Sequence, residues 1–233
     1  MEAARTVEPA VTVPEHFAGI RTYKPRRGRV TPRQAAALGI DDGLLIPTPT
    51  TPLDLARLFA GRPVVCEIGF GTGAPTVALA QRQPDTGILA IDVHTPGVGD
   101  LLWRLRAAAV DHVRVIEADA LHVLRTAVGP GALAGVRSYF PDPWPKARHH
   151  KRRLVNPAHA SLIADRVVLG GSWHLATDWS AYADHAMSVL DADPSWSGGP
   201  IERPAWRPVT RYEQLALDQG RAVIDLWYTR MGP

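Results

Sequence analysis

Val64-Val65-Cys66-Glu67-Ile68-Gly69-Phe70-Gly71-Thr72-Gly73-Ala74-Pro75 reads as a short apolar strand, a glycine turn and the opening of a helix. Pro63 and Gly69 bound the apolar run, and Pro75 suits the first turn of a helix over 74–82, where its missing N–H is no loss. The glycines admit positive φ and let a ligand approach the backbone, while the helix start leaves N–H groups unpaired. By itself such a turn serves equally well as a tight strand-to-helix connection. Two later acids favour a ligand site. Asp92 ends the next apolar run, 88–93, nineteen positions beyond Gly73 and close to the spacing at which an acid meets ribose hydroxyls. Asp119 follows the third run, 113–117. Their plainer alternatives are a loop acid for Asp92 and the N-cap of the following helix for Asp119.

Outward from this turn, strand and helix alternate almost without interruption. Helical spacing covers 34–38, 53–59, 100–109, 121–128, 158–169 and 182–190; further strands are expected at 136–140, 172–176 and 222–228. Gly170-Gly171 is expected to stop the helix over 158–169. The Trp- and Pro-rich stretch 193–207 has no clear periodicity. The alternation predicts an α/β fold, a mostly parallel sheet with helices on both faces. The 233 residues, 45% of them hydrophobic, suit one domain. The single cysteine, Cys66, excludes an internal disulfide and belongs to the core. Residues 1–15 lack a basic-then-apolar leader, and no apolar run is long enough to cross a bilayer, so a cytoplasmic protein is expected.

Net charge is only +3, but its distribution is uneven. No acid lies between Glu15 and Asp41, whereas Arg21, Lys24, Arg26, Arg27, Arg29 and Arg33 do; we expect residues 1–33 to form a mobile basic arm and 34–233 a single domain. A second cluster follows an apolar, proline-rich stretch, Ser138-Tyr139-Phe140-Pro141-Asp142-Pro143-Trp144-Pro145. Lys146, Arg148, Lys151, Arg152 and Arg153, with His149 and His150, then fall within eight positions. A carboxylate held stiffly at a strand end and followed by cations suggests chemistry on a polyanion, nucleic acid first. Adjacent histidines in such a run suit phosphate or solvent better than a metal. Trp144 either packs the loop or stacks on a base.

Glu67 ahead of the glycines, with the spacing G-x-G-x-G, resembles class I S-adenosylmethionine-dependent methyltransferases more than dehydrogenases. The segment Tyr139–Arg153 narrows this: it resembles the signature of the tRNA (guanine-N7-)-methyltransferase family. Val93–Gly99, Ala176–Trp179, Arg207–Glu213 and the arm Arg21–Arg33 share the likeness, which spans roughly 20–230. The resemblance implies a doubly wound, Rossmann-like sheet of seven strands and transfer of a methyl group to N7 of guanine in the variable loop of tRNA. It implies S-adenosylmethionine contacts at Glu67, Gly69, Gly71, Gly73, Asp92, Asp119 and Asp142, with Asp142 also catalytic. Substrate contacts are implied at Lys146, Asp178, Thr210, Arg211, Tyr212 and Glu213, and RNA contacts at Arg148, His149, His150, Lys151, Arg152 and Arg153. The expected partner is tRNA, without metal or membrane, and the chain a monomer or homodimer.

Plain structural roles compete at several of these positions. Thr210-x-x-Glu213 is also a capping box, and Asp178 could cap the helix over 182–190. The sequence departs from the family pattern at Asp92, where glutamate is usual, at Thr72, and over Gln214–Arg221, which replaces the usual Arg-Gly…Leu-Gly-His run. Two other functions compete. Amino-methyltransferases of adenine or cytosine carry Asp/Asn-Pro-Pro-aromatic, whereas here the aromatic precedes the second proline. A non-catalytic RNA-binding module would not need Glu67, Asp92, Asp119 and Asp142 together.

Overall fold

The computed structural model describes residues 21–24 and 28–232. Its first half contains α1 (Pro32–Leu38), β1 (Leu45–Ile46), α2 (Leu55–Leu58), β2 (Val64–Ile68), α3 (Ala74–Arg82), β3 (Gly87–Asp92), α4 (Thr95–Ala107), β4 (Val113–Glu117) and α5 (Ala120–Thr126). The second half contains β5 (Leu133–Tyr139), a 3₁₀ turn (Ala147–Arg152), α6 (Pro157–Arg166), β6 (Val167–Thr177), α7 (Ser180–Asp191), β7 (Trp196–Ile201), α8 (Arg211–Asp218) and β8 (Ile224–Arg230). The strands form one sheet in the order β1-β4-β3-β2-β5-β6-β8-β7, in which only the pairs made by β8 are antiparallel. Strand order reverses at β2, whose neighbours are β3 on one side and β5 on the other. Open α/β sheets bind ligands at such a switch point, beyond the carboxyl ends of the strands.

Each central strand feeds two cores because successive side chains point to opposite faces. On β3, Ile88 and Ala90 join Leu79, Leu101, Leu102 and Leu105 under α3 and α4, while Leu89 and Ile91 join Leu124, Ile163 and Tyr182 under α5, α6 and α7. On α4, Val98, Leu101, Leu102 and Leu105 recur at helical spacing and are fully buried. Burial also pushes the Cys66 thiol far above its ordinary range, as a core residue requires. Among the described residues no helix is long and apolar enough to cross a membrane.

Four differences from the sequence expectations have physical causes. The expected seven strands gain an eighth, the two-residue β1, which extends the β4 edge through Leu45 and Ile46. The strand β7 lies in the unassigned stretch; Gly198 and Pro200 hide its period. Gly198 is needed because a Cβ there would come within 2.0 Å of the Trp227 carbonyl oxygen, and Pro200 is tolerated on an edge strand. Gly170-Gly171 does not end a helix. The helix α6 ends at Arg166, and β-branched Val167 and Val168 begin β6. The pair Leu133–Val167 is followed by Gly135–Ser172, so the two glycines sit in a bulge, with Gly170 at φ +77. Lastly, α4 starts at Thr95 rather than 100, because Gly97 and Gly99, poor helix formers, are there for close approach.

The expected arm is described only in part, since residues 1–20 and 25–27, including Arg26 and Arg27, lie outside the described residues. Residues 21–24 lie against the central loop: the Trp144 indole donates to the Thr22 carbonyl at 2.9 Å, and the Lys24 N–H to Asp142 Oδ2 at 2.8 Å. Thr31 already caps α1 with Gln34 in a capping box, so the helix begins before position 34.

Candidate active site

A cavity of about 300 Å³ opens at the carboxyl end of β2. Its walls come from the glycine turn, the ends of β3 and β5, the central loop, residues 22–24 and the start of α8. Gly69, Gly71 and Gly73 all have positive φ (78°, 62° and 73°). Gly73 caps α3 and cannot carry a Cβ, which would meet Leu101 at 2.6 Å. Asp92 holds the turn from across the cleft, accepting from Gly71 N–H at 2.9 Å on Oδ2 and from His94 N–H at 3.0 Å on Oδ1. Burial pushes the Asp92 carboxyl above the usual carboxylate range, against the pull of its backbone donors. Glu67 is buried at 3% exposure, and burial raises it too, opposed by Thr76 and the Arg137 guanidinium. Glu67 Oε2 has no hydrogen-bond partner among the described residues. The Thr76 hydroxyl that opposes the rise is likewise buried without a partner of normal geometry, so either this hydroxyl or a ligand must supply the donor that an unpaired buried acceptor, costing about 1–3 kcal/mol, requires. The site thus offers acceptors to a ligand bearing N–H, ammonium or hydroxyl groups, and each Asp92 oxygen retains a second lone pair.

The close packing behind the turn gives a test. A Cβ on Gly97, in the first turn of α4, would fall 2.2 Å from the Gly71 carbonyl oxygen. Gly97→Ala is expected to destabilise the fold by about 1–3 kcal/mol by forcing turn and helix apart. Urea unfolding measures this, and an unchanged midpoint would show that α4 does not hold the turn.

The central loop is stiff for reasons beyond its prolines. Phe140 and Trp144 both have positive φ (53° and 44°), uncommon for aromatic residues and sustained only by surrounding contacts. Phe140 N–H donates to the Ala176 carbonyl at 2.7 Å. Trp144 is buried at 6% exposure, with the Lys24 ammonium at 5.4 Å and the Arg152 guanidinium at 5.1 Å from its ring. Packing, not base stacking, is therefore its role. Asp142 faces the cavity, held by the Lys24 N–H, with Lys24 Nζ at 3.9 Å from Oδ1.

The basic cluster divides. Lys146, Arg148 and Lys151 are exposed, and His149, His150 and Arg152 are partly so. Arg153, expected on the RNA surface, is instead buried at 4%: it donates to the Pro143 carbonyl at 3.1 Å and lies over Tyr182. It is a strut for the proline loop and cannot reach a phosphate. Among the described residues no group of three His, Cys, Asp or Glu side chains is placed to hold a metal.

Other expected residues separate in the same way. Asp119 Oδ1 accepts from the N–H groups of Leu121 and His122, so it caps α5, and its charge acts on Tyr23 of the cavity wall. Asp178 does not cap α7, which starts after Trp179 without a side-chain cap; it pairs with Arg221 at 2.8 Å. Thr210 and Glu213 form the capping box of α8. Thr210, Arg211 and Tyr212 line the cavity, and the Tyr212 ring stacks on Phe140 at 6.5 Å. Glu213, expected on the substrate, is instead buried at 1% and bound by Arg203 and Arg207. It has no open face for a base. Sequence reasoning did not single out Thr22, Tyr23, His94 or Tyr139 as wall residues, although all lie within segments that resemble the family.

Comparison with known proteins agrees with this architecture. Residues 61–226 match the family model described as "Putative methyltransferase". The chain is 47% identical over 226 residues to the tRNA (guanine-N(7)-)-methyltransferase of Streptomyces coelicolor, covering 91% of this chain and 81% of that protein. Among solved structures it resembles the 16S rRNA methyltransferase KamB, with TM-score 0.57 and 14% identity over 78% of this chain and 95% of that one. It also resembles a Streptococcus mutans methyltransferase in complex with SAH, with TM-score 0.50 and 11% identity over 76% and 93%. At such identities these two structures speak for the fold alone.

Proposed function

From the premise that this chain belongs to the tRNA (guanine-N(7)-)-methyltransferase family, we infer that it transfers the methyl group of S-adenosylmethionine to N7 of guanine in tRNA. One observation carries the reading: a single cavity brings Glu67 and Asp92 together with Asp142 and Tyr212. Glu67, a wall residue, and the glycine turn suit the amino-acid portion of the cofactor, whose ammonium would meet the carboxylate alongside the Thr76 hydroxyl. Asp92 takes the ribose hydroxyls on its remaining lone pairs. The bound sulfonium supplies an electrophilic methyl carbon. Asp142 and the Thr210–Tyr212 corner hold the guanine edge so that N7 meets that carbon in line. Asp119 shapes the end of β4 as the cap of α5.

Incubation of tRNA with methyl-labelled cofactor, followed by digestion to nucleosides, tests the assignment. Labelled 7-methylguanosine is expected; label on an exocyclic amine of adenosine or cytidine would overturn it.

Lys146, Arg148 and Lys151 form the phosphate-facing surface, flanked by His149, His150 and Arg152. Replacing Arg148 and Lys151 together with glutamine should weaken tRNA binding. The slope of log affinity against log salt should fall by about 0.7–0.9 for each phosphate that is no longer neutralised. Cofactor affinity should not move. An unaltered slope would leave these two residues as a solvated face.

A further inference from the structure

A chain of buried polar groups joins the end of β5 to the start of α8, both of which line the cavity. At one end the Tyr139 hydroxyl, at the close of β5, donates to His174 Nδ1 at 3.0 Å. His174 Nε2–H in turn donates to Asp225 Oδ1 at 2.8 Å. Burial lowers the His174 pKa despite the adjoining carboxylate, in keeping with this neutral tautomer. Asp225 Oδ2 accepts from Arg207 at 2.9 Å, and Arg207 reaches on to both oxygens of Glu213, at 2.7 and 3.0 Å. Arg203 closes the far end, donating to Glu213 Oε1 at 2.6 Å and to the Arg207 carbonyl at 2.5 Å. Glu213 Oε2 accepts the Thr210 N–H, and α8 runs from Arg211, so the chain ends on the corner whose Tyr212 ring stacks on Phe140 beside the end of β5.

Two guanidiniums balance two carboxylates, and His174, Arg207, Glu213 and Asp225 are each no more than 2% exposed. Buried ion pairs contribute little net stability compared with apolar residues of equal volume; their best-attested use is to fix one arrangement. Here the arrangement fixed is the seating of the Thr210–Tyr212 corner beside the end of β5. The His174 ring cannot swing, because Tyr139, Trp206 and Trp227 surround it with centroids at 5.0, 5.5 and 5.2 Å.

We propose that His174, Asp225, Arg207 and Arg203 are positioning residues, a buried strut that sets the Thr210–Tyr212 corner against the Tyr139–Asp142 side of the cavity so that guanine N7 lies in line with the methyl carbon. The inference rests on the function proposed above and extends it to residues that touch neither substrate nor cofactor. Misalignment of reacting groups by about 1 Å costs roughly 10²-fold in rate. A strut should therefore act on rate and leave binding alone, since the phosphate surface and the glycine turn lie elsewhere.

Arg203 is partly exposed and its removal leaves the His174–Asp225–Arg207 core intact, so Arg203→Met should fold. Its single-turnover methyl-transfer rate is expected to fall about 5–20-fold, part of that misalignment cost. The dissociation constants for tRNA and cofactor should stay within about twofold, well below that loss of rate. His174→Phe should fall further, and His174→Gln, which keeps a donor and an acceptor, should recover most of the rate. If His174→Phe does not fold, Arg203→Met and His174→Gln decide the matter. A parental rate in folded Arg203→Met, or a loss confined to binding, overturns the proposal. A parent that makes no 7-methylguanosine overturns the functional reading and this inference with it. A parent that makes it, beside variants of unchanged rate, overturns this inference alone.

Discussion

A tRNA with 7-deazaguanine at the target position binds, competes with normal tRNA and accepts no methyl group. This is the largest effect expected of any single change, because the substitution removes the nucleophile and nothing else. Guanine N7 carries an in-plane lone pair and no proton, so attack requires no general base, only alignment. The deaza base keeps its N1–H and N2–H₂ edge, ribose and phosphates. Asp142, the Thr210–Tyr212 corner and the Lys146–Arg148–Lys151 surface therefore keep every partner. Of the wall residues, Tyr139 offers no base. Tyr139 is held by His174, and burial pushes its phenol far above the ordinary range, so it does not ionise to serve as a base. Competition binding and label incorporation, measured on the same preparation, give the two halves of the result. Label entering the deaza substrate at an amine or a ribose oxygen would move the reading to an amino- or ribose-methyltransferase.

The elements that sequence reasoning recovers are those in which local signals agree. Val64–Ile68 is an apolar run between Pro63 and Gly69, and Pro75 marks the helix start, so β2 and α3 could be read to the residue. Trp196–Ile201 could not, because Gly198 is there for its close approach to the Trp227 backbone, which no local pattern announces. The same limit governs the site. Residue type showed that Arg153 and Glu213 carry charge, but not which way the chain would turn them. At the end of the 3₁₀ turn, Arg153 swings under the proline loop while Arg148 and Lys151 face outward. Glu213 meets Arg207 and, through it, Asp225 on β8, twelve residues further on, a contact between α8 and a strand that no local pattern announces. The glycine-turn end of the cavity was legible because its wall lies in consecutive residues and one strand-end acid. The end assembled from β5, α8 and residues 22–24 was only partly so, since these segments are distant in sequence.

Asp142→Asn is expected to bind tRNA and cofactor nearly as the parent does and to lose roughly 10²-fold in single-turnover rate, the scale on which removal of an aligning or charge-stabilising group acts. The reason is the direction of the hydrogen bonds. Asp142 stands between Pro141 and Pro143, flanked by Phe140 and Trp144 with positive φ, and its Oδ2 already accepts the Lys24 N–H. That bond pins the carboxylate, and Oδ1, with Lys24 Nζ 3.9 Å away, keeps lone pairs for the donors that guanine N1–H and N2–H₂ or the cofactor ammonium present. The amide of asparagine retains one acceptor oxygen. If that oxygen stays with Lys24, an NH₂ group meets the ligand's donors. If it turns to the ligand, the Lys24 N–H loses its partner and residues 22–24 are held to the loop by the Trp144–Thr22 bond without it. Either arrangement spoils alignment while the phosphate contacts, which supply most of the affinity for nucleic acid, stay in place. The measurement is a rate under saturating tRNA and cofactor beside separate dissociation constants. A variant with parental rate would show that Asp142 neither aligns the base nor stabilises charge. A variant that instead loses tRNA affinity tenfold or more, about 1.4 kcal/mol, would make Asp142 a docking residue and leave alignment to the Thr210–Tyr212 corner.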